Sequence, residues 1–220
     1  MSTKVMALLL FEVRSSMNTT RFVSAIAMSV GLILGQPSFA QGDWSLAKSA
    51  DGVKVYVRNV EGSPLREFRG EIQLDSTPEK VVEVLRDADD FSKWMPNVVA
   101  SKLLKATSNE QYHYLESKAP WPVTNRDGVY HFTYSRGEGG TVIVRVEAAP
   151  DYVPPRDGKV RIPEANGQWK LVPNSQGVSV TYQMHMSSGG AIPSWLANQA
   201  VVDTPYDTLK ALRSYLQASR

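Results

Sequence analysis

Along most of the chain apolar and polar residues alternate with a period of two, and in two places the period lengthens to that of a helix. The order Val53-Lys54-Val55-Tyr56-Val57-Arg58 puts three valines on one face of a strand entered through Asp51-Gly52. A second strand is predicted over 65–74. Thr77-Pro78-Glu79 then reads as a helix start: a capping hydroxyl, proline at the first helical position and an acid in the first turn. Val81, Val82, Val84 and Leu85 give this helix its apolar face, residues 87–90 end it, and 90–94 fit one more helical turn.

Seven strand signals follow, over 98–104, 111–117, 128–134, 141–148, 159–162, 167–172 and 178–186, separated by Ser, Asn, Gly and Pro. Their short connections predict antiparallel neighbours, because a parallel crossover takes about a dozen residues or more. Gly137-Glu138-Gly139-Gly140 reads as a hairpin turn. The last strand alternates most cleanly, with Val178, Val180, Tyr182, Met184 and Met186 on one face. Gly189-Gly190 breaks the sheet, and Pro193-Ser194 opens a long carboxy-terminal helix whose apolar positions run from Leu196 through Leu209 and Leu212 to Leu216. Pro205 should kink or split that helix. The order is that of an α+β fold, in which one large antiparallel sheet curls around the last helix so that both bury their apolar faces. Such a curl tends to leave an apolar space between sheet and helix, suited to a small hydrophobic ligand. Large side chains plugging that space are the other outcome the sequence leaves open.

The amino terminus changes what counts as the domain. Residues 22–35 form an uncharged apolar run, preceded by Arg21 and followed by Ser38-Phe39-Ala40, the pattern of a secretory signal peptide. The run is too short for a membrane span of roughly 20 apolar residues, although an uncleaved anchor is the alternative. Residues 1–40 are therefore expected to be a signal peptide, with the true start possible at Met17, and 41–220 the mature domain, exported to the periplasm. Without residues 1–40 the chain holds 21 basic and 21 acidic residues, so its formal charge is zero and it carries no electrostatic footprint for nucleic acid. There is no cysteine, which excludes thiolate chemistry and Cys-ligated zinc and leaves the core to hold the fold.

Several short pieces, in order and over nearly the whole of 44–216, resemble the START (StAR-related lipid-transfer) domain family. They are Trp44…Asp51-Gly52-Val53, Phe68-Arg69-Gly70, Asp87…Trp94, Pro120-Trp121-Pro122-Val123…Arg126-Asp127, Val160-Arg161…Gly167…Trp169 and Gly189-Gly190…Pro193…Trp195-Leu196. The resemblance implies a helix-grip fold that holds one lipid between the sheet and the last helix. It also implies an entrance bordered by that helix and by the loop 149–158.

Candidate ligand contacts are Arg126, Trp121, Phe132, Tyr152, Val153, Met184, Met186 and Trp195. Arg126 suits a phosphate or carboxylate, which a guanidinium binds bidentately. The structural reading of Arg126-Asp127, an ion pair or turn clamp, is the simpler one because buried charges are usually paired. Some sterol-binding relatives carry an arginine where Phe132 stands, so a sterol-style charge pair is in doubt. Trp121 reads as cavity wall or loop anchor, while Trp44, Trp169 and Trp195 read as core. Met184 and Met186 suit either varied acyl chains or ordinary packing. Tyr152 and Val153 sit in the three-proline loop 149–158, expected to part from helix residues 192–202 and admit ligand.

No metal spacing among His113, His131 and His185, no nucleophile elbow and no phosphate loop is present, so no cofactor or catalytic residue is expected. The expected partner is a lipid or similar hydrophobic molecule, bound by a monomer that touches membranes transiently. A helix-grip cyclase or aromatase using Arg126, His131 or Tyr134 is the enzymatic alternative.

Overall fold

The structure, a computed structural model, describes residues 42–187, 189–190 and 192–219. The segment read as a signal peptide, 1–40, lies outside them. Strands β1 (Ser45–Ala50), β2 (Val53–Arg58) and β3 (Glu67–Leu74) come first. Helix α1 (Pro78–Arg86) follows, begun as the sequence predicts, with Thr77 accepting the Lys80 N–H. After a 3-10 turn comes the single turn α2 (Phe91–Trp94). Seven more strands follow: β4 (Val98–Ala106), β5 (Glu110–Ser117), β6 (Arg126–Arg136), β7 (Val142–Ala148), β8 (Val160–Arg161), β9 (Glu164–Asn174) and β10 (Gly177–Ser187). Helix α3 (Ser194–Ala218) closes the chain.

The ten strands form one sheet in the order β1-β2-β3-β10-β9-β7-β6-β5-β4, with β8 beside β6. Its inner face is the one alternation predicts. Val53, Val55 and Val57 on β2, Phe68 and Ile72 on β3, and Val178 to Met184 at every second position of β10 are buried. Helix α3 crosses this face over β2 and β3, where Leu209 and Leu212 are wholly buried. Gly70 permits the close approach: a Cβ there would lie 2.7 Å from Leu209 Cδ1 and 3.3 Å from Pro205 Cβ.

Four expectations are corrected. Strand β1 escaped the pattern because Ser45, Leu46, Ala47, Ser49 and Ala50 are all exposed, so no burial writes an alternation there. The segment 159–162 pairs parallel with β6, reached by the loop from β7 and not by a hairpin. Helix α3 runs unbroken through Pro205, whose ring is buried against Gly70. Trp44 is not core; it is half-buried on the outer face beneath the guanidinium groups of Arg58 and Arg69, 4.5 and 4.7 Å from its ring.

Candidate functional site

Helix α3 has two unlike halves. The second is locked down: Tyr206 and Lys210 reach Asp51 at 2.7 Å each, and Tyr215 donates to Asp90 at 2.9 Å. Before Pro205 the helix has one buried side chain among those described, Ala197. Beneath it the sheet bends away and leaves a pocket of about 670 Å³. The helix contributes a stripe at every fourth residue, Leu196, Ala200, Thr204 and Thr208, and Ile192 just before it continues the line. The sheet supplies the opposite wall, with Phe132, Val146, Trp169, Tyr182, Met184 and Met186. Trp169 and Tyr182 stack flat at 3.9 Å, and Phe91 from α2 meets Phe132 edge-on at 6.2 Å. The lining is completed by exposed Asn97, Lys118 and Pro120 and by half-buried Val123.

Polar groups in the wall are few. Tyr130 lies over Gly128, where a Cβ would come within 2.7 Å of its ring, and burial pushes its phenol up to about 12. Burial also raises Tyr182 above the ordinary tyrosine range. The dipeptide Arg126-Asp127 divides its labour. Asp127, almost fully buried, receives both arms of Arg161, at 3.0 and 2.9 Å. Arg161 also donates to the carbonyls of Pro150, Val153 and Pro154, so this pair clamps the loop 149–158 to the sheet. Arg126 borders the pocket, 7 % exposed, and donates to the Thr124 carbonyl and, at 3.4 Å, to that of Gly189. Desolvation lowers its pKa from the ordinary arginine value.

Of the eight candidate contacts, Arg126, Phe132, Met184 and Met186 line this pocket. Trp121, Trp195, Tyr152 and Val153 do not. Trp121 is 93 % exposed, although Pro120 and Val123 close to it in the chain line the pocket. Trp195 is 70 % exposed, off the four-residue stripe, and so is not core. Tyr152 stacks on Tyr112 at 4.2 Å, and Arg156 covers Tyr114 at 3.9 Å, which lays the loop 149–158 on the outer face of β5. None of the pocket's lining comes from that loop, so the expected border at 149–158 is replaced by the segment 117–123. Leu196, Ala200, Tyr130 and Trp169 were not singled out as contacts; the four-residue stripe on α3 was the signal that could have found the first two.

The three groups of the enzymatic alternative are not brought together. Only Arg126 meets the pocket: His131 packs on Tyr112 outside and sits 2.9 Å from Glu110, and Tyr134 donates to Gln111 at 2.8 Å and to Leu85. Among the described residues no group of three potential metal ligands gathers.

Comparison with known proteins agrees with this architecture. The START domain profile matches residues 35–220. A crystal structure of a STAR-related lipid transfer protein fragment from Xanthomonas axonopodis is 70% identical, covers 79% of this chain and 98% of that one, and superposes with a TM-score of 0.77. An uncharacterized Pseudomonas aeruginosa protein is 44% identical over 173 residues, 78% of this chain and 86% of its own. Mouse phosphatidylcholine transfer protein is 28% identical over 194 residues, 83% of this chain and 89% of its own. Human StAR-related lipid transfer protein 5, 19% identical with a TM-score of 0.72 over 80% of this chain and 86% of that one, shares the fold.

Proposed function

The chain belongs to the START domain family, and on that premise we propose that it binds one lipid in the pocket under the first half of α3 and carries it without chemical change. The observation that carries this reading is the pocket itself: about 670 Å³ of space walled by aromatic and aliphatic side chains. That volume falls within the roughly 300–1,000 Å³ of small-ligand sites, and an apolar wall of this kind gains from every methylene it removes from water. Relatives named as lipid transfer proteins support the same ligand class. Arg126 is the buried cation of the wall and suits an anionic or zwitterionic head, leaving the chains to Phe132, Met184 and Met186. The protein acts as a monomer in the periplasm, exported by residues 1–40; the apolar run 22–35 and Ser38-Phe39-Ala40 support that location.

Native mass spectrometry of the protein purified from its host tests the reading. A mass beginning at Gln41 with one bound lipid is expected. In an Ala200→Trp variant the indole fills the pocket, and lipid occupancy should fall about tenfold or more with the circular dichroism spectrum unchanged. Wild-type protein that carries no lipid and takes none from vesicles overturns the proposal. A mass that keeps residues before 35 overturns the export part alone.

A further inference from the structure

The pocket has a length as well as a volume. Its line on α3 runs from Leu196 to Thr208, about 18 Å of helix at roughly 1.5 Å per residue. The next position on that line is Leu212, wholly buried and no part of the lining, so the pocket stops there. At the other end Arg126 donates to the carbonyl of Gly189, just before the helix. A carbon chain with bonds of about 1.5 Å advances roughly 1.3 Å per methylene when extended, so about 14 methylenes fill that length. The width is set by side chains packed on one another. Phe132 stacks on His113 at 4.1 Å, and Tyr182 lies between Trp169 at 3.9 Å and Phe68 at 5.0 Å. Met184 is seated over Gly167, where a Cβ would come within 2.8 Å of its sulfur. A methylene occupies roughly 30 Å³, about the share of one water molecule in the liquid. One chain of about 16 carbons therefore takes about 500 Å³, and two take about 1,000 Å³ before any head is counted. The cavity, about 670 Å³, holds one chain with a modest head and has no room for the second.

We infer that this protein selects single-chain lipids with an anionic head, fatty acids or lysophospholipids, over diacyl phospholipids, and that Thr204 gauges the length of the chain. The inference rests on the proposed function, whose pocket it sizes. A sterol has similar bulk but suits the site less well. Its lone hydroxyl offers the Arg126 guanidinium one neutral acceptor, whereas a carboxylate or phosphate matches both arms of the fork. Thr204 is half-buried and lines the pocket one turn short of its closed end. A bulky side chain there would cut the channel by the rise of four residues, about 6 Å, which is the length of about four or five methylenes.

Native mass spectrometry tests it on the purified protein, offered palmitic acid, palmitoyl lysophosphatidylglycerol, dipalmitoyl phosphatidylglycerol and cholesterol in turn at one concentration. A single-chain lipid should occupy the protein, one molecule each, about tenfold or more above the diacyl lipid. The two single-chain arms tell a carboxylate head from a phosphate head. Across a series of saturated fatty acids, wild-type occupancy should peak near about 16 carbons, and Thr204→Phe should move the peak down by about four. Thr204→Ser, which keeps the bore, should leave the peak in place. Should the phenylalanine variant fail to fold by circular dichroism, Thr204→Leu must move the peak in the same direction. Dipalmitoyl phosphatidylglycerol bound as well as the single-chain lipids overturns the inference and leaves the proposed function standing. So do two single-chain molecules per protein, cholesterol bound in preference to both, or a length profile that neither bulky variant moves. Protein that takes none of these lipids sinks the proposed function and the inference with it.

Discussion

The His113 ring lies wholly out of solvent, stacked on Phe132 at 4.1 Å and edge-on to Phe91 at 5.4 Å, with Nε2 3.2 Å from Gln111 Oε1. Burial in this apolar setting pushes its pKa down to about 4. The unfolded chain takes up a proton near the ordinary value of about 6.5, and the folded one resists until about 4. Stability contributed at neutral pH is therefore lost progressively as pH falls between those values, by an amount on the order of 3 kcal/mol. Urea midpoints measured across that window should drop with acid in the wild type, and the His113→Phe variant should show a much flatter dependence whatever its absolute stability. An unchanged slope would remove His113 from the account. Sequence reading could not place this ring, because β5 reverses the usual pattern. Gln111 and His113 face inward, while Tyr112 and Tyr114 face out under Tyr152 and Arg156. The pocket residues divide in the same way. Met184 and Met186 were legible from strand parity, and Arg126 and Phe132 from the family resemblance, but exposed Trp121 and Trp195 were not, since aromatic character alone does not say which way a side chain points.

Among the elements, α3 depends on one seat in the sheet. Gly70 faces Leu209 and Pro205 with no room for a methyl group, so a side chain there pushes the helix outward. Gly70→Val should destabilise the fold by about 1–3 kcal/mol, the range for overpacking, read as a lowered urea midpoint. A midpoint equal to wild type would mean that the helix is seated elsewhere. The same contact explains why Pro205 did not break α3 as its sequence position implied. Removal of one N–H is a local penalty, whereas burial of the proline ring on the sheet is a tertiary gain that a sequence window does not contain. Helix α1 was legible to its cap because capping is local chemistry. Strand β8 was legible within 159–162, but its parallel pairing was not, because its partner β6 lies more than thirty residues earlier.

Over the whole molecule, alternation revealed that there was one sheet with one buried face, but not the order of its strands, since period-two patterning carries no record of partners. That order holds the last strand, β10, between β3 and β9, with β3 more than a hundred residues earlier in the chain. The sheet is thus two pieces, β1-β2-β3 and β9-β7-β6-β5-β4, joined by the strand that is made last. During synthesis both pieces wait with an unpaired edge, the kind of edge that attracts wrong partners. Protection should therefore arrive in a single late step. Ribosome-arrested chains ending before Gly177 should stay open to protease over their whole length. Chains extended through α3 by a linker long enough to clear the exit tunnel should become resistant at once, and gradual protection acquired strand by strand would contradict this. Until β10 emerges, what the cell holds is a pair of half-sheets whose safekeeping falls to chaperones rather than to the fold.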